Sequence, residues 1–235
     1  MGNVEIHPLT ADRWADFERL FGPRGAYAGC WCMWPRLRSR DFAKRKGPEN
    51  KEAMREVVES DEPPGLLAYV DGEPVGWVAL DRRERLEHFE YSRKLNPLDR
   101  PDGLWSIVCF VIDKQHRRKG LMTRLLEAAI DYAGKRGARV VEAYPIDPQG
   151  DLRSYHGFTG IASVFERVGF VKVGGTESDL VVRMVVSGYG ANKRMENRFL
   201  GGVSSQCCAV TIGAVEVGGA ATGGHGESRQ RIGSE

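Results

Sequence analysis

The sequence predicts a mixed α/β fold in which helices cover a central sheet. Two apolar runs, Leu66–Val70 and Val75–Leu80, flank the turn-forming pair Asp71-Gly72 and indicate an antiparallel hairpin. The nearly unbroken apolar run Leu104–Ile112 is typical of a strand buried on both faces. An amphipathic helix over Leu121–Lys135 and several short strands follow it. An antiparallel first half is therefore expected to join a strand–helix–strand second half.

The remaining elements follow from apolar periodicity and turn signals. Thr10 is a candidate N-cap for a helix in which Trp14, Phe17 and Phe21 share one face. The predicted strands are Val4–Leu9, Leu66–Val70, Val75–Leu80, Leu104–Ile112, Val140–Ala143, Phe170–Val173 and Leu180–Val186. The predicted helices are Ala11–Phe21, Glu49–Glu59, Leu121–Lys135 and a short one over Ser163–Val168.

Composition excludes several classes of protein. Hydrophobic residues make up 41% of the 235 residues, which is enough for a core. The 34 basic and 32 acidic side chains leave a net charge of +2, which argues against nucleic-acid binding. No run approaches the ~18 apolar residues of a membrane span, and the N-terminus lacks a signal-peptide pattern. We therefore expect a cytoplasmic protein with no membrane or nucleic-acid partner.

The chain changes character near residue 187. Up to that point apolar runs alternate with turn signals, whereas Ser187–Glu235 is rich in Gly, Ser and Ala. Such a segment loses much entropy on ordering and offers few large side chains in return. The sequence therefore predicts one domain over residues 1–186 and a mostly disordered tail over residues 187–235.

The cysteines are Cys30, Cys32, Cys109, Cys207 and Cys208. An odd number without a secretion signal does not indicate a disulfide framework. Cys30 and Cys32 form a single C-x-C with no second ligand pair at zinc-finger spacing, so no metal site is expected. A redox or metal role for that run is kept as a weaker alternative.

A basic turn joins the buried strand to the amphipathic helix. Arg117, Arg118, Lys119 and Gly120 fall where the helix begins, and free backbone N–H groups at such a terminus bind anions. Cations there are unfavourable by about 0.3–1 kcal/mol each, so three in a row are better explained if they face an anion such as a diphosphate. The P-loop and dinucleotide glycine motifs are both absent from the sequence.

These residues resemble the GNAT superfamily of acetyltransferases, which uses acetyl-CoA. Its pattern [RQ]-x-x-G-x-[GA] is matched by Arg117 and Gly120, whereas Met122 departs from it. The hairpin Val70–Gly76 and the ending Phe165–Phe170 also resemble family landmarks, and the likeness covers roughly residues 3–186. The runs GCWCMW, WSIVCF and VEAYP resemble one bacterial branch, a likeness that brings no substrate with it.

The resemblance implies a fold and a cofactor site. The fold is a mixed, mostly antiparallel sheet, flanked by helices, whose fourth and fifth strands splay apart to receive acyl-CoA. Pantetheine would pair with backbone groups of the fourth strand, and the N–H near Val111 would polarise the acyl carbonyl. The basic turn would hold the pyrophosphate. The implied binding residues are Phe110, Val111, Ile112, Arg117, Arg118, Lys119, Gly120, Leu121 and Met122.

The catalytic groups stay open. Family members that carry a Glu base on the fourth strand place it at the position of Ser106, and those with a Tyr acid place it at Phe165. The base is the larger need: at pH 7 deprotonating a lysine-like amine costs about 4.6 kcal/mol, whereas protonating a departing thiolate is favourable by about 2 kcal/mol. The candidates are Glu142 as carboxylate and Tyr155 as acid, followed by His156. Glu84, Glu87 and Glu90 could attract a cationic amine. Each of these residues also has a purely structural interpretation.

The aromatic loop allows two interpretations. Trp31, Met33 and Trp34 either cover the core or form one wall of an acceptor pocket. Cys109 is expected to pack in the sheet, because no histidine partner stands at a spacing that would support a covalent acyl-cysteine.

The expected activity is acetyl-CoA-dependent N-acetyl transfer by direct attack of an amine. The acceptor is a small-molecule or peptide amine of unspecified kind. A non-catalytic acyl-CoA-binding module of the same fold is the alternative. The oligomeric state is left open, with a homodimer among the options.

Overall fold

The computed structural model describes residues 2–45, 47–60, 62–92, 99–148 and 155–186, without the side chains of Tyr155 and His156. The predicted tail, residues 187–235, lies outside the described residues. Seven strands form one sheet in the order β1-β2-β3-β4-β5-β7-β6. They are β1 Val4–Pro8, β2 Gly65–Val70, β3 Glu73–Arg82, β4 Leu104–Ile112, β5 Val140–Ala143, β6 Val171–Gly175 and β7 Leu180–Val185.

Helices lie on both faces of the sheet. The α-helices are α1 Trp14–Phe21, α2 Ser39–Lys44, α3 Pro48–Glu59, α4 Glu87–Glu90, α5 Leu121–Lys135 and α6 Ala162–Val168. Short 3-10 helices are Ala11–Arg13, Arg83–Arg85, Lys114–His116 and Tyr155–Thr159. Within the described ranges no helix combines the length and apolar character needed to cross a membrane.

The helix predicted over residues 11–21 differs from the observed structure at its start. Ala11–Arg13 is a 3-10 turn, and the α-helix begins only at Trp14. Thr10 makes no capping bond to the backbone; its hydroxyl accepts from the Arg13 guanidinium at 2.8 Å instead. Helices α2 and α4 lie in segments predicted as connections, because so few residues carry almost no periodic signal.

The fourth and fifth strands diverge. They pair in parallel only between Leu104–Ile107 and Val140–Ala143, whereas β4 continues alongside β3 as far as Ile112. Residues Phe110–Ile112 therefore have no β5 partner within the described part of the chain. All other neighbouring strands are antiparallel. The predicted fold class, including the splayed strand pair, is confirmed.

Each face of the sheet carries its own hydrophobic core. We call them the α5-side core, which includes Leu125 and Phe165, and the α1-side core, which includes Phe17 and Trp77. A β-bulge between β3 and β4 makes Val108 an extra residue. As a result, neighbouring residues Val108 and Cys109 both join the α1-side core, while Ile107 and Phe110 belong to the α5-side core.

Candidate active site

A cleft of about 1740 Å³ opens where β4 and β5 diverge. Its lining includes Phe110–Ile112 from the end of β4 and Gly157 and Phe158 from the 3-10 helix on the opposite side. Most of the residues predicted to bind the cofactor line it, namely Phe110, Val111, Ile112, Arg117, Arg118, Gly120, Leu121 and Met122. Lys119 is not among the lining residues. The role of these residues in binding stays a prediction, but the chain does place them around one cavity.

Strand register identifies which backbone groups face the opening. Asp113 N–H donates to the Val75 carbonyl at 2.9 Å, so Asp113 directs its backbone groups to β3. Every second residue along an antiparallel strand does the same. Val111, paired with Trp77, is one of them. The N–H and C=O groups of Phe110 and Ile112 point the other way, into the cleft. The backbone N–H predicted to polarise the acyl carbonyl is therefore better assigned to Phe110 or Ile112 than to Val111.

The basic turn has the backbone geometry of an anion cradle. Arg118 and Gly120 are both left-handed, with φ of 59° and 78°, and α5 begins directly afterwards. A side chain added at Gly120 would meet no atom within 4 Å, so the approach to the backbone is open. The first turn of α5 carries no acidic residue, and N–H groups there have no partner within the helix. These residues fit a pyrophosphate.

Two side chains of the turn hold it in shape. The Arg117 guanidinium folds back, and its Nε donates to the Ile112 carbonyl at 2.9 Å. Asp113 accepts from Gln115 N–H and from the His116 ring, and the His116 hydrogen bond is the main reason that the pKa of Asp113 is lowered. The Arg117 side chain is therefore anchored to the end of β4 through its Nε, while it still lines the cleft.

The two positions expected to carry a base or an acid in some family members are buried. Ser106 and Phe165 are both 0% exposed. The Phe165 ring packs edge-on against Phe110 at 6.1 Å and supports the cleft from the α5 side. Neither residue presents an acid or a base to the opening.

Glu142 lies at the centre of a buried ion-pair network. Its Oε2 accepts from Arg183 Nε at 2.8 Å, its Oε1 lies 3.6 Å from Arg83 Nε, and Tyr144 donates its hydroxyl to the same Oε1. Burial and then the Glu142 charge raise the pKa of Tyr144. Both carboxylate oxygens of Glu142 are thus occupied and it does not line the cleft. Its catalytic role stays a prediction, and these contacts fit a positioning role.

The network extends into the connection between β3 and β4. Arg83 Nη1 donates to Glu90 at 2.7 Å, and Arg183 Nη1 donates to Asp99 at 2.8 Å. Glu90, a candidate attractor for a cationic amine, is therefore neutralised by Arg83. Of the other two candidates, Glu87 lies 3.5 Å from Arg38 and Glu84 is exposed.

Tyr155 begins a 3-10 helix that reaches the cleft. The helix spans Tyr155–Thr159, and its residues Gly157 and Phe158 line the cavity. The side chains of Tyr155 and His156 lie outside the described part of the structure. The acid role of Tyr155 accordingly stays a prediction based on chain position.

The aromatic loop residues Trp31, Met33 and Trp34 all pack on the α1-side core, and none of them lines the cleft. Trp31 and Met33 are buried in the α1-side core, whereas Trp34 is half-buried and meets Phe158 edge-on at 5.4 Å. The Cys32 thiol lies 3.3 Å from Cys109 Sγ and accepts from the Trp77 indole at 3.0 Å.

Burial, the largest cause, raises the pKa of Cys32. The thiolate is the reactive form of cysteine, so this buried thiol is expected to be a poor nucleophile. Among the residues that the structure describes, no three His, Cys, Asp or Glu side chains are grouped as metal ligands.

A family model for the Acetyltransferase (GNAT) family matches residues 31–158. The chain belongs to that family. The match agrees with the resemblance carried by Arg117 and Gly120. No curated protein matches the chain.

Solved structures of GNAT acetyltransferases are similar to this chain. A ribosomal-protein-S5-alanine acetyltransferase from Vibrio fischeri is 14% identical, covering 80% of this chain and 96% of its own at a TM-score of 0.48. A GNAT acetyltransferase from Streptococcus pneumoniae is 18% identical, covering 78% and 99% at 0.47. The PaiA N-acetyltransferase from Thermoplasma acidophilum, in complex with coenzyme A, is 15% identical, covering 78% and 99% at 0.42.

Several residues of the GNAT cleft were not identified from the sequence. Leu20, Ala26 and Tyr27 reach it from the N-terminal region, and Asp147 and Asp179 reach it from loops after β5 and β6. These residues follow no motif and no common spacing. Only the packing of distant segments brings them together.

Proposed function

We propose that this GNAT-family protein is an acetyl-CoA-dependent N-acetyltransferase in which a bound amine attacks the acetyl group directly. One observation carries the proposal: β4 loses its β5 partner after Ile107, and the open edge leads straight into the basic turn before α5. A thioester carrier needs such an extended backbone edge for its amide groups and an anion cradle at the far end.

Each part of the cleft has a proposed task. The open backbone groups of Phe110 and Ile112 would pair with amide groups of the pantetheine arm. The Ile112 carbonyl is already occupied by Arg117, which leaves its N–H and both groups of Phe110. The N–H groups from Arg118 through Met122 would bind the pyrophosphate, with the Arg118 charge beside them. Acetyl-CoA supplies an activated acyl group as its thioester.

Transfer would depend mainly on positioning and desolvation. A backbone N–H of Phe110 or Ile112 is the proposed donor to the acyl carbonyl, in the manner of an oxyanion site. The chain holds the amine and the acyl group in one orientation, which removes much of the entropic barrier. The attacking amine would lose its proton to water in the open cleft, and Tyr155 is the proposed acid that protonates the departing thiolate. Glu142 is the proposed carboxylate that orders the acceptor side through Arg83 and Arg183.

A second candidate function is binding without turnover. Ser106 and Phe165 occupy the usual base and acid positions, and Glu142 is held by two arginines. A module with those features could bind acyl-CoA as a sensor. Thermal stabilisation by acetyl-CoA without release of free thiol would favour this alternative.

The test pairs binding with turnover. Acetyl-CoA binding is measured by calorimetry, and thiol release is measured with a panel of amines. Gly120→Trp should abolish binding because it fills the open approach to the turn. Gly72→Trp is a matched control, since Gly72 has a similar φ of 83° and also meets no atom within 4 Å. Absence of binding by the unsubstituted protein would refute the proposal.

A further inference from the structure

We propose that the acceptor is a small primary amine with an apolar, aromatic body, bound on the α1 side of the cleft. This inference rests on the proposed acetyl-transfer function. It concerns the half of the cleft that lies away from the basic turn.

The acceptor side follows from the direction of the β4 side chains. Phe110 and Ile112 pack against the α5-side core, whereas Val111 packs against the α1-side core. The basic turn and α5 lie on the α5 side of the sheet. An acceptor that meets an acyl group held along Phe110–Ile112 therefore approaches from the α1 side, past Val111.

The wall on that side carries no charge. It consists of Leu20, Ala26, Tyr27 and Phe158, all of which line the cleft. Leu20, Ala26 and Phe158 are half-buried and pack on the α1-side core, and Tyr27 is 59% exposed. An apolar wall with aromatic rings is typical of sites that bind the body of a small organic ligand.

Further aromatic rings support the wall from behind. Phe158 meets Trp34 edge-on at 5.4 Å, and Trp34 packs on the His88 ring at 4.0 Å. Burial lowers the pKa of His88, which leaves this ring uncharged near neutral pH. Aromatic faces attract an ammonium group as well as apolar surface, so they suit both ends of an arylalkylamine.

The charges of the cleft favour a single positive group on the ligand. Basic side chains that line the cleft lie in the basic turn or in the 3-10 helix Lys114–His116 just before it, except for Arg167 on α6. Asp147 and Asp179 also line it, and no basic side chain of the described residues forms an ion pair with either of them. The loops that carry them are joined by a hydrogen bond from Asp147 N–H to the Ser178 carbonyl at 3.1 Å. Two carboxylates in the same cleft as an uncharged wall suit a monoamine better than an acceptor that itself carries a carboxylate.

The experiment compares amines and variants by thiol release from acetyl-CoA. The amines are 2-phenylethylamine, tryptamine, ethanolamine, spermidine and a short peptide with a free N-terminus. We expect kcat/KM for the two aromatic amines to exceed that for ethanolamine by at least about tenfold, because burying a ring contributes a gain of that order. Phe158→Ala and Tyr27→Ala should each remove most of that preference, measured within each variant as the ratio of kcat/KM for 2-phenylethylamine to kcat/KM for ethanolamine. Tyr91→Ala, at a tyrosine that is 61% exposed and does not line the cleft, is the control.

Each outcome decides between the inference and the proposed function. Calorimetry of acetyl-CoA is run on every variant, so loss of cofactor binding is separated from loss of acceptor binding. Equal rates with all amines, or a preference for ethanolamine, spermidine or the peptide, would overturn the aromatic acceptor and leave acetyl transfer standing. Acetyl-CoA binding without turnover of any amine would overturn both.

Discussion

Ser106 and Glu142 lie directly opposite each other at the last stretch where β4 and β5 pair. The Tyr144 hydroxyl joins them, since it donates to Glu142 and lies 3.4 Å from Ser106 Oγ. A carboxylate is thus present one strand away from the position where other family members carry a base. In this chain it faces two guanidinium groups instead of the cleft.

Glu142→Gln should destabilise the protein more than it slows the chemical step. Removing the carboxylate leaves Arg183 and Arg83 largely buried without their shared counter-charge, which costs about 3 kcal/mol in the free energy of unfolding. We expect kcat to stay within about tenfold of the original. Urea unfolding and steady-state thiol release measure the two effects.

The matched control for that substitution is Glu87→Gln. Glu87 is exposed, and within the described residues its ion pair is a surface contact with Arg38 at 3.5 Å, so its loss should change the free energy of unfolding by less than about 0.5 kcal/mol. If Glu142 were instead the direct base, Glu142→Gln would lower kcat about 10²–10⁴-fold with little change in stability.

Ser106→Glu should not create a working base. The new carboxylate would be fully buried opposite Glu142, and two buried carboxylates cannot both be charged without a high cost. We expect a loss of about 3 kcal/mol in the free energy of unfolding and no increase in kcat. Ser106→Ala is the control, with a smaller loss because only one weak hydroxyl contact disappears. Faster thiol release by the Ser106→Glu variant would contradict this account.

The thiols of Cys32 and Cys109 should be unreactive in the folded protein. Both side chains are buried, and burial raises the pKa of Cys32. Iodoacetamide at pH 7 followed by peptide mapping should find these cysteines unlabelled natively and labelled in guanidinium. Cys109→Ala should retain thiol release, since the proposed reaction uses no acyl-cysteine. Rapid native labelling, or loss of turnover in Cys109→Ala with intact acetyl-CoA binding, would argue for a reactive thiol.

His88 should make stability depend on pH. Its pKa in the folded state is lowered below 6.5 by burial, so the unfolded chain takes up a proton that the folded chain resists. The stability contribution is therefore present above pH 6.5 and is lost as the pH falls through that value towards the lower folded pKa. Unfolding free energy between pH 7.5 and 5.5 should fall more steeply for the original protein than for His88→Phe. His7→Phe, at a partly exposed ring on β1, is the control for loss of a histidine. If unfolding free energy changed with pH in the same way for His88→Phe and for the original protein, the expectation would be wrong.

Local pattern predicts much of this fold and little of its polar network. The hairpin, the buried strand β4 and the helix α5 were all expected, because each depends on neighbouring residues. The contacts of Arg183 join residues that are 41 positions apart, at Glu142, and 84 positions apart, at Asp99. No local periodicity encodes such separations. In the candidate site, likewise, the basic turn was predicted from the sequence, whereas the residues on the acceptor side were not.

The order along the chain of the strands and of the four longer helices, and the basic start of α5, were determined by the sequence alone. Both depend on short-range properties, namely apolar periodicity and the free N–H groups that any helix leaves at its first turn. Tertiary structure decided that Glu142 pairs with Arg183 and that Tyr27 and Phe158 meet at one cleft. Those outcomes depend on strand register and on packing between distant segments, which place side chains together whatever their spacing along the chain.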